Sequence, residues 1–201
     1  MSTLLLICGW GGSGKDYAVD KICKDLGLKD AKVLSYTTRK PRYEGESTHT
    51  FIDEEFYEAC KEKGNVLAYT YQNNAHYFVT PECLKDKKFY IIDKPGVEYM
   101  LKKIDENEDL DNELKMNGID NLLVIYLDPN KLKVAYNLLF RRKLSISDTI
   151  KRMWQDYKIY KGMKKTFPTP LVFKHQRDMI DYIENIWPYL RYKRIMDIFS
   201  K

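Results

Sequence analysis

The apolar run Leu4-Leu5-Leu6-Ile7-Cys8 leads directly into Gly9-Trp10-Gly11-Gly12-Ser13-Gly14-Lys15, and a helical pattern begins there. A short continuous apolar segment, a glycine-rich turn and a periodic helix in succession constrain the chain to a strand–loop–helix unit. In that context the loop is the G-x-x-x-x-G-K half of a phosphate-binding loop. Gly9, Gly11, Gly12 and Gly14, with Ser13, let consecutive backbone N–H groups turn inward into a concave nest for anions. The first turn of the helix adds unpaired N–H groups and the positive end of its dipole. Lys15 adds a point charge for the outer phosphates, so a nucleotide triphosphate is the expected ligand. The next residue is usually Ser or Thr, whose hydroxyl ligates Mg²⁺; here it is Asp16. A carboxylate is also a hard oxygen donor, so Asp16 is the expected metal ligand.

The rest of the chain alternates strand and helix. Strand-like segments occupy 3–8, 32–36, 66–71, 76–79, 88–93, 122–127 and 170–173; helix-like segments occupy 14–26, 53–63, 95–104, 129–143, 146–164 and 176–199. Runs such as Leu122-Leu123-Val124-Ile125-Tyr126-Leu127 are apolar on both faces, the habit of a parallel sheet covered by helices. The expected fold is therefore α/β, with a P-loop kinase core. Residues 37–80 are turn-rich with shorter strands and read as a small lobe inserted into that core.

With 201 residues and 44% hydrophobic content the chain is long enough for one domain with a substantial core. No apolar run approaches membrane-spanning length, and the N-terminus enters a core strand at once, so a cytoplasmic protein without a membrane partner is expected. Cys8, Cys23, Cys60 and Cys83 show no C-x-x-C pair and read as reduced thiols. The net charge is +5, unevenly spread. Residues 131–165 hold eleven Lys or Arg against Asp148 and Asp156, whereas 105–113 hold six acids and no base. The acidic run reads as a solvated connector. The basic stretch reads either as a nucleic-acid face or as a lid over phosphates, and a chain with its own triphosphate loop favours the lid. Ile146, Ile150, Met153, Tyr157 and Tyr160 recur at helical spacing, which predicts an inward-facing apolar stripe there.

Residues 35–56 carry a second motif, Ser-Tyr-Thr-Thr-Arg-Lys-Pro-Arg-Tyr-Glu-Gly-Glu-Ser-Thr-His-Thr-Phe-Ile-Asp-Glu-Glu-Phe. Arg39 and Arg42 bracket a rigid proline, so two guanidinium forks are placed to grip one phosphate. With the P-loop ahead and Ile91-Ile92-Asp93-Lys94-Pro95-Gly96-Val97 behind, the chain resembles guanylate kinases, whose S-x-T-T-R-x-P-R-x-G-E and D-x-D-x-x-G elements run in the same order over most of its length. The resemblance implies a core of 1–36, 81–130 and 166–201, a monophosphate-binding lobe at 37–80 and a lid at 131–165. It implies transfer of the ATP γ-phosphoryl group to GMP, dGMP or a related nucleoside monophosphate, with no nucleic-acid partner. Ser35, Arg39, Arg42 and His49 fall at acceptor-binding positions. Arg141 or Arg142, then Arg152, match the transfer-site arginines; Lys15, Arg39, Arg142 and Arg152 are the catalytic set that follows.

The departures concern the base. A carboxylate satisfies guanine's adjacent N1–H and 2-amino donors together. Aligned with the family, the lobe's Glu becomes Tyr69 and the first Asp becomes Ile91, leaving Asp93, with amides at Gln72, Asn73 and Asn74. The G-K-D loop also looks like those of phage deoxynucleoside monophosphate kinases and animal phosphomevalonate kinase. A kinase for another small phosphorylated acceptor, an inactive guanylate-kinase-like binding module and a nucleic-acid-dependent ATPase are the alternatives. Retention of Lys15, Arg39 and Arg42 weighs against the inactive module.

Overall fold

Four parallel strands in the order β6-β1-β7-β8 form the central sheet of the computed structural model, which describes residues 2–167 and 170–190. They are β1 (Thr3–Gly9), β6 (Phe89–Ile91), β7 (Asn121–Leu127) and β8 (Leu171–Phe173). β1 lies between β6 and β7, pairing Leu5 with Phe89 and Leu123. Its side chains alternate between two cores. Leu4, Leu6 and Cys8 join Tyr90, Ile92 and Tyr126 on one face; Leu5 and Ile7 join Phe89 and Ile125 on the other. Both faces are buried because helices cover both, so the all-apolar strand is the expected composition. Each fully buried Leu or Ile contributes about 1.5–3 kcal/mol, which makes β1 the anchor of the loop that follows it.

Helix α1 (Lys15–Asp25) and helix α8 (Gln176–Leu190) pack together on the Leu5–Ile7 face. The opposite face is covered by α3 (Lys94–Asp105), α4 (Glu108–Met116) and part of the lid segment. The acidic run is therefore not a bare connector. Asn107 caps α4 by accepting from the Leu110 N–H, and Leu110 and Leu114 sink into the core while the acids face out. The acids of the first turn also suit the positive end of the helix dipole.

The inserted lobe is a second sheet in the order β3-β2-β5-β4, with α2 (Glu54–Glu62) against it. Its strands are β2 (Tyr36–Thr37), β3 (Thr50–Phe51), β4 (Leu67–Gln72) and β5 (Ala75–Val79). The expected strand at 32–36 reduces to a single bridge from Lys32 to Phe89, followed by short β2. Asn73 and Asn74, both at positive φ, close the β4–β5 hairpin. A two-residue turn of that kind demands positive φ at both positions, which Asn tolerates better than other non-glycine residues.

The 129–143 helix is shorter than expected: α5 (Lys131–Tyr136) runs into a π-helical turn over Asn137–Arg141. It is followed by α6 (Ile146–Tyr160) and the short α7 (Met163–Thr166). The inward stripe expected on α6 is corrected in part by the structure. Tyr160 is buried and Met153 packs against the core as expected, but Ile146, Ile150 and Tyr157 are 72%, 64% and 51% exposed, and Thr149 and Asp156 join the buried side. The physical reason is that α6 turns a polar group, Asp156, toward the phosphate loop at the middle of its inward face. The last part of the helix expected at 176–199 lies outside the described residues. Among those residues no helix is long and apolar enough to cross a membrane, and the four cysteines are free.

Candidate active site

The phosphate loop leaves the end of β1 at Gly9, and Gly14, at φ +84°, caps α1. A β-carbon on Gly14 would sit 1.4 Å from Gln176 Nε2, which donates to the Ser13 carbonyl at 2.8 Å. Gln176 thus ties α8 to the loop, and both the backbone angle and the space require glycine. Trp10 is fixed from below, donating to the Tyr126 hydroxyl at 3.0 Å, and Lys131 lies 3.9 Å over its ring. Lys15 Nζ approaches the loop's own Trp10 carbonyl at 3.4 Å. Burial lowers the Lys15 pKa, opposed by Asp16 and assisted by Arg142; Asp156 and Arg152 act in the same pair of directions. A group of that kind gains most when an anion arrives.

Sequence reasoning missed Asp156. Its side chain is buried, accepts from the Gly11 N–H at 2.7 Å, and stands 3.4 Å from Arg152 Nε. A β-carbon on Gly11 would fall 2.9 Å from Arg152 Nε and 3.1 Å from Asp156 Oδ2, so the lid helix rests on bare backbone. Asn137 adds a second tie, donating to the Gly12 carbonyl at 2.9 Å. The signal was available in the four-residue spacing from Arg152 to Asp156, which puts both on one helix face.

Between β2 and β3, Arg39 grips Glu46 with both terminal nitrogens, at 3.1 and 2.8 Å. Glu46 also accepts from the Arg42 N–H at 2.7 Å and the Thr48 hydroxyl at 2.7 Å. The Arg39–Glu46 bonds, the Arg42 backbone bond and the Thr48 bond together hold the Glu46 carboxyl well below the usual carboxylate range. Glu46 therefore fixes the clamp: Arg39 is spread as a fork, and Arg42 keeps an exposed guanidinium. Ser35 Oγ lies 2.9 Å from His49 Nδ1, and the His49 ring stands edge-on to Tyr77. Burial, then the charges of Arg39 and Arg42, lower the His49 pKa, while Glu46 and Asp16 oppose them. Asp16 opposes the downward shifts of both Lys15 and His49.

The Glu46 environment has a sign. A carboxyl whose folded pKa lies below its unfolded one stabilises the fold above the unfolded pKa, about 4.3, and that contribution is lost as pH falls through the folded pKa. The melting-temperature difference between wild type and Glu46→Gln is expected to be constant from neutral pH to about 5 and to shrink below about 4. Thermal melts across that range check it. A difference that persists in acid would show that the Glu46 charge is not what orders the clamp.

Tyr69, expected to read the base, turns to the other face of β4 from Thr70 and Gln72. Its hydroxyl lies 2.9 Å from His76 Nδ1, and its ring packs with Tyr57 and Tyr99. The cause is a bulge between Leu67 and Thr70, with Ala68 at φ +52°, which inserts a residue and resets the alternation of β4. Thr70 and Gln72 take the opposite face, donating to Asp93 Oδ1 and Oδ2, each at 2.7 Å. Asp93 Oδ1 also accepts from the Gly96 N–H, capping α3. Burial pushes the Asp93 carboxyl up, and the Thr70 bond, the Gly96 bond and the Lys15 charge partly restrain it. Ile91 packs into the core on the α1 and α8 side of the sheet. Gln72 and Asn73 at the lobe tip face Arg152, Gln155, Lys158 and Ile159 of the lid across an open cleft of about 270 Å³.

Among the described residues no group of three or more His, Cys, Asp or Glu side chains is arranged to hold a metal ion. Mg²⁺ at triphosphate sites takes one or two carboxylates, with phosphate oxygens and water completing its shell. Exposed Asp16 in the first turn of α1 fits that requirement.

A parallel β-sheet with helices on both faces, a glycine-rich loop after its first strand and an inserted mixed-sheet lobe define a guanylate kinase-like P-loop fold. The guanylate kinase from Anaplasma phagocytophilum shares it, with a TM-score of 0.59 and 17% sequence identity over 96% of this chain and 87% of that one. No protein-family model matches the sequence, and no curated protein matches it either. The likeness is one of fold.

Proposed function

We propose that this protein is an ATP-dependent nucleoside monophosphate kinase. The observation that carries this reading is a second cationic cluster beside the glycine-rich loop with Lys15: the Arg39–Arg42 pair, ordered by Glu46. A triphosphate-hydrolysing or purely structural domain has no use for the second grip.

In this reading the Gly11–Lys15 nest holds the donor's phosphates, and Arg39, Arg42 and His49 hold the acceptor's phosphate. Mg²⁺, held by Asp16 with phosphate oxygens and water, would neutralise charge between the donor's outer phosphates. Arg142 and Arg152 bring positive charge to the transferred group, which carries the spreading negative charge of a loose transition state. The acceptor phosphate is already a competent nucleophile, so positioning replaces a general base. Docking of α6 on the loop through Asp156 excludes water from that side.

A coupled ADP-release assay across ribo- and deoxyribonucleoside monophosphates tests the proposal. ADP formed only on addition of a monophosphate supports it; turnover that responds to DNA or RNA and to no monophosphate overturns it. Arg39→Ala is expected to raise the acceptor KM about tenfold or more, the equivalent of one charge-assisted hydrogen bond, with a smaller change in the ATP KM. Movement of the ATP constant alone would mean that the two grips are assigned the wrong way round.

A further inference from the structure

We infer that Gln72 is the base-reading residue of this site and that the acceptors are nucleoside monophosphates of several bases rather than of guanine alone, an inference that rests on the kinase reading above. Asp93 is half-buried and already accepts three hydrogen bonds. Its Oδ1 accepts from Thr70 and Gly96, and its Oδ2 accepts from Gln72. It supports the reading residue and does not itself read.

A carboxylate engaged in this way accepts and does not donate, so the Gln72 amide nitrogen must face it. That fixes the orientation of the amide. Nε2 carries two hydrogens, one given to Asp93 and one left, and Oε1 stands beside it as an acceptor. The residue follows from turn chemistry. The Asn73-Asn74 turn ends β4 at Gln72, in register with Ala75, and the bulge at Ala68 sets which face Gln72 takes. Gln72 then lines the cleft opposite Arg152 and Gln155.

An amide presents one donor beside one acceptor. Every nucleobase carries a complementary pair on its Watson–Crick edge: N6–H with N1 in adenine, N4–H with N3 in cytosine, N3–H with O4 in thymine and uracil, N1–H with O6 in guanine. Small shifts of the base in an open cleft bring any of these pairs against Gln72. Guanine's 2-amino group gains no acceptor from Gln72, so guanine loses the advantage that paired donors would give it against a carboxylate. Discrimination of the strong kind requires a buried polar group left unpaired by the wrong substrate, and this arrangement leaves none.

The test is a panel of dAMP, dCMP, dGMP and dTMP, with their ribo-counterparts, measured by ADP release and by titration calorimetry with the non-hydrolysable ATP analogue present. We expect kcat/KM and Kd to differ by no more than about tenfold between the favoured purine and pyrimidine acceptors. Gln72→Glu is expected to shift the ratio toward dGMP by tenfold or more. Because a new acid beside Asp93 can disturb the lobe, Gln72→Leu is the second variant. It is expected to weaken all bound bases by similar factors, with the ATP KM unchanged. Wild-type preference for one base by more than a hundredfold, or loss in Gln72→Leu confined to one base, overturns the inference. Monophosphates that bind with the expected ratios but are not phosphorylated would overturn the kinase reading and leave the base reading supported. Failure of any monophosphate to bind would overturn both.

Discussion

Lys15→Ala is expected to lower phosphoryl transfer by about 10²–10³-fold, the usual consequence of removing one preorganised charge from a transition state, while the melting temperature holds or rises. The two halves of that expectation have one cause. The Lys15 ammonium is desolvated, which lowers its pKa, and its near neighbours include the cations Arg142 and Arg152 as well as the anions Asp16 and Asp156. A lysine whose charged form is disfavoured in the fold contributes no stability at neutral pH, so its removal leaves the folded state intact. A bound triphosphate supplies the counter-charge, so the lysine acts most strongly when the substrate is present. Initial rates with ATP and an accepted monophosphate, together with a thermal melt, check both parts. Turnover within a few-fold of wild type, in a protein that melts normally, would remove Lys15 from the chemistry.

Arg152→Ala is expected to reduce kcat by about 10²–10³-fold with a much smaller change in either KM, because an arginine that meets charge developing in transfer stabilises the transition state more than the ground state. Its position depends on Asp156, which touches both Arg152 and the Gly11 N–H. Asp156→Asn keeps an acceptor for that N–H and removes the charge that orients Arg152, so a fall of about tenfold in kcat is expected, with Arg152→Ala and the double variant alike. Steady-state kinetics on the three variants tests the coupling. If the two single losses multiply in the double variant, the residues act independently and Asp156 does not position Arg152. An Arg152→Ala enzyme with near-normal kcat would exclude this lid helix from transfer.

The central sheet was legible because its strands are apolar on both faces, a composition with one sensible placement. The loop was legible because Gly14 and Gly11 occupy places where a β-carbon does not fit. The proposed acceptor pocket was harder. Alignment with the family places Tyr69 in it, but the Ala68 bulge adds a residue that neither alternation nor alignment reveals, and Thr70 and Gln72 are the residues that meet Asp93. The lid helix misled for a different reason. Its apolar residues do recur at helical spacing and Met153 and Tyr160 do pack inward, but the surface beneath it also presents the N–H of Gly11, so Asp156 faces inward and Ile146, Ile150 and Tyr157 face solvent. Periodicity reports which residues share a face and is silent on which face the protein covers. Glu46 was visible as part of a motif, yet its role as the brace of Arg39 belongs to the folded lobe.

The same lid helix carries Trp154, 59% exposed with Lys158 against its ring, whereas Trp10 sits 6% exposed inside the phosphate loop and Trp187 sits 7% exposed beside Phe89 on the far side of the sheet. These are the chain's three tryptophans. Each therefore samples a different part of the molecule: the lid, the loop and the core. Intrinsic emission from this protein is consequently a composite in which a solvent-quenchable, red-shifted component reports the lid and two shielded components report the loop and the fold. Single Trp→Phe replacements separate them, so that α6, the glycine-rich loop and the core can each be followed in one fluorescence trace without an added dye.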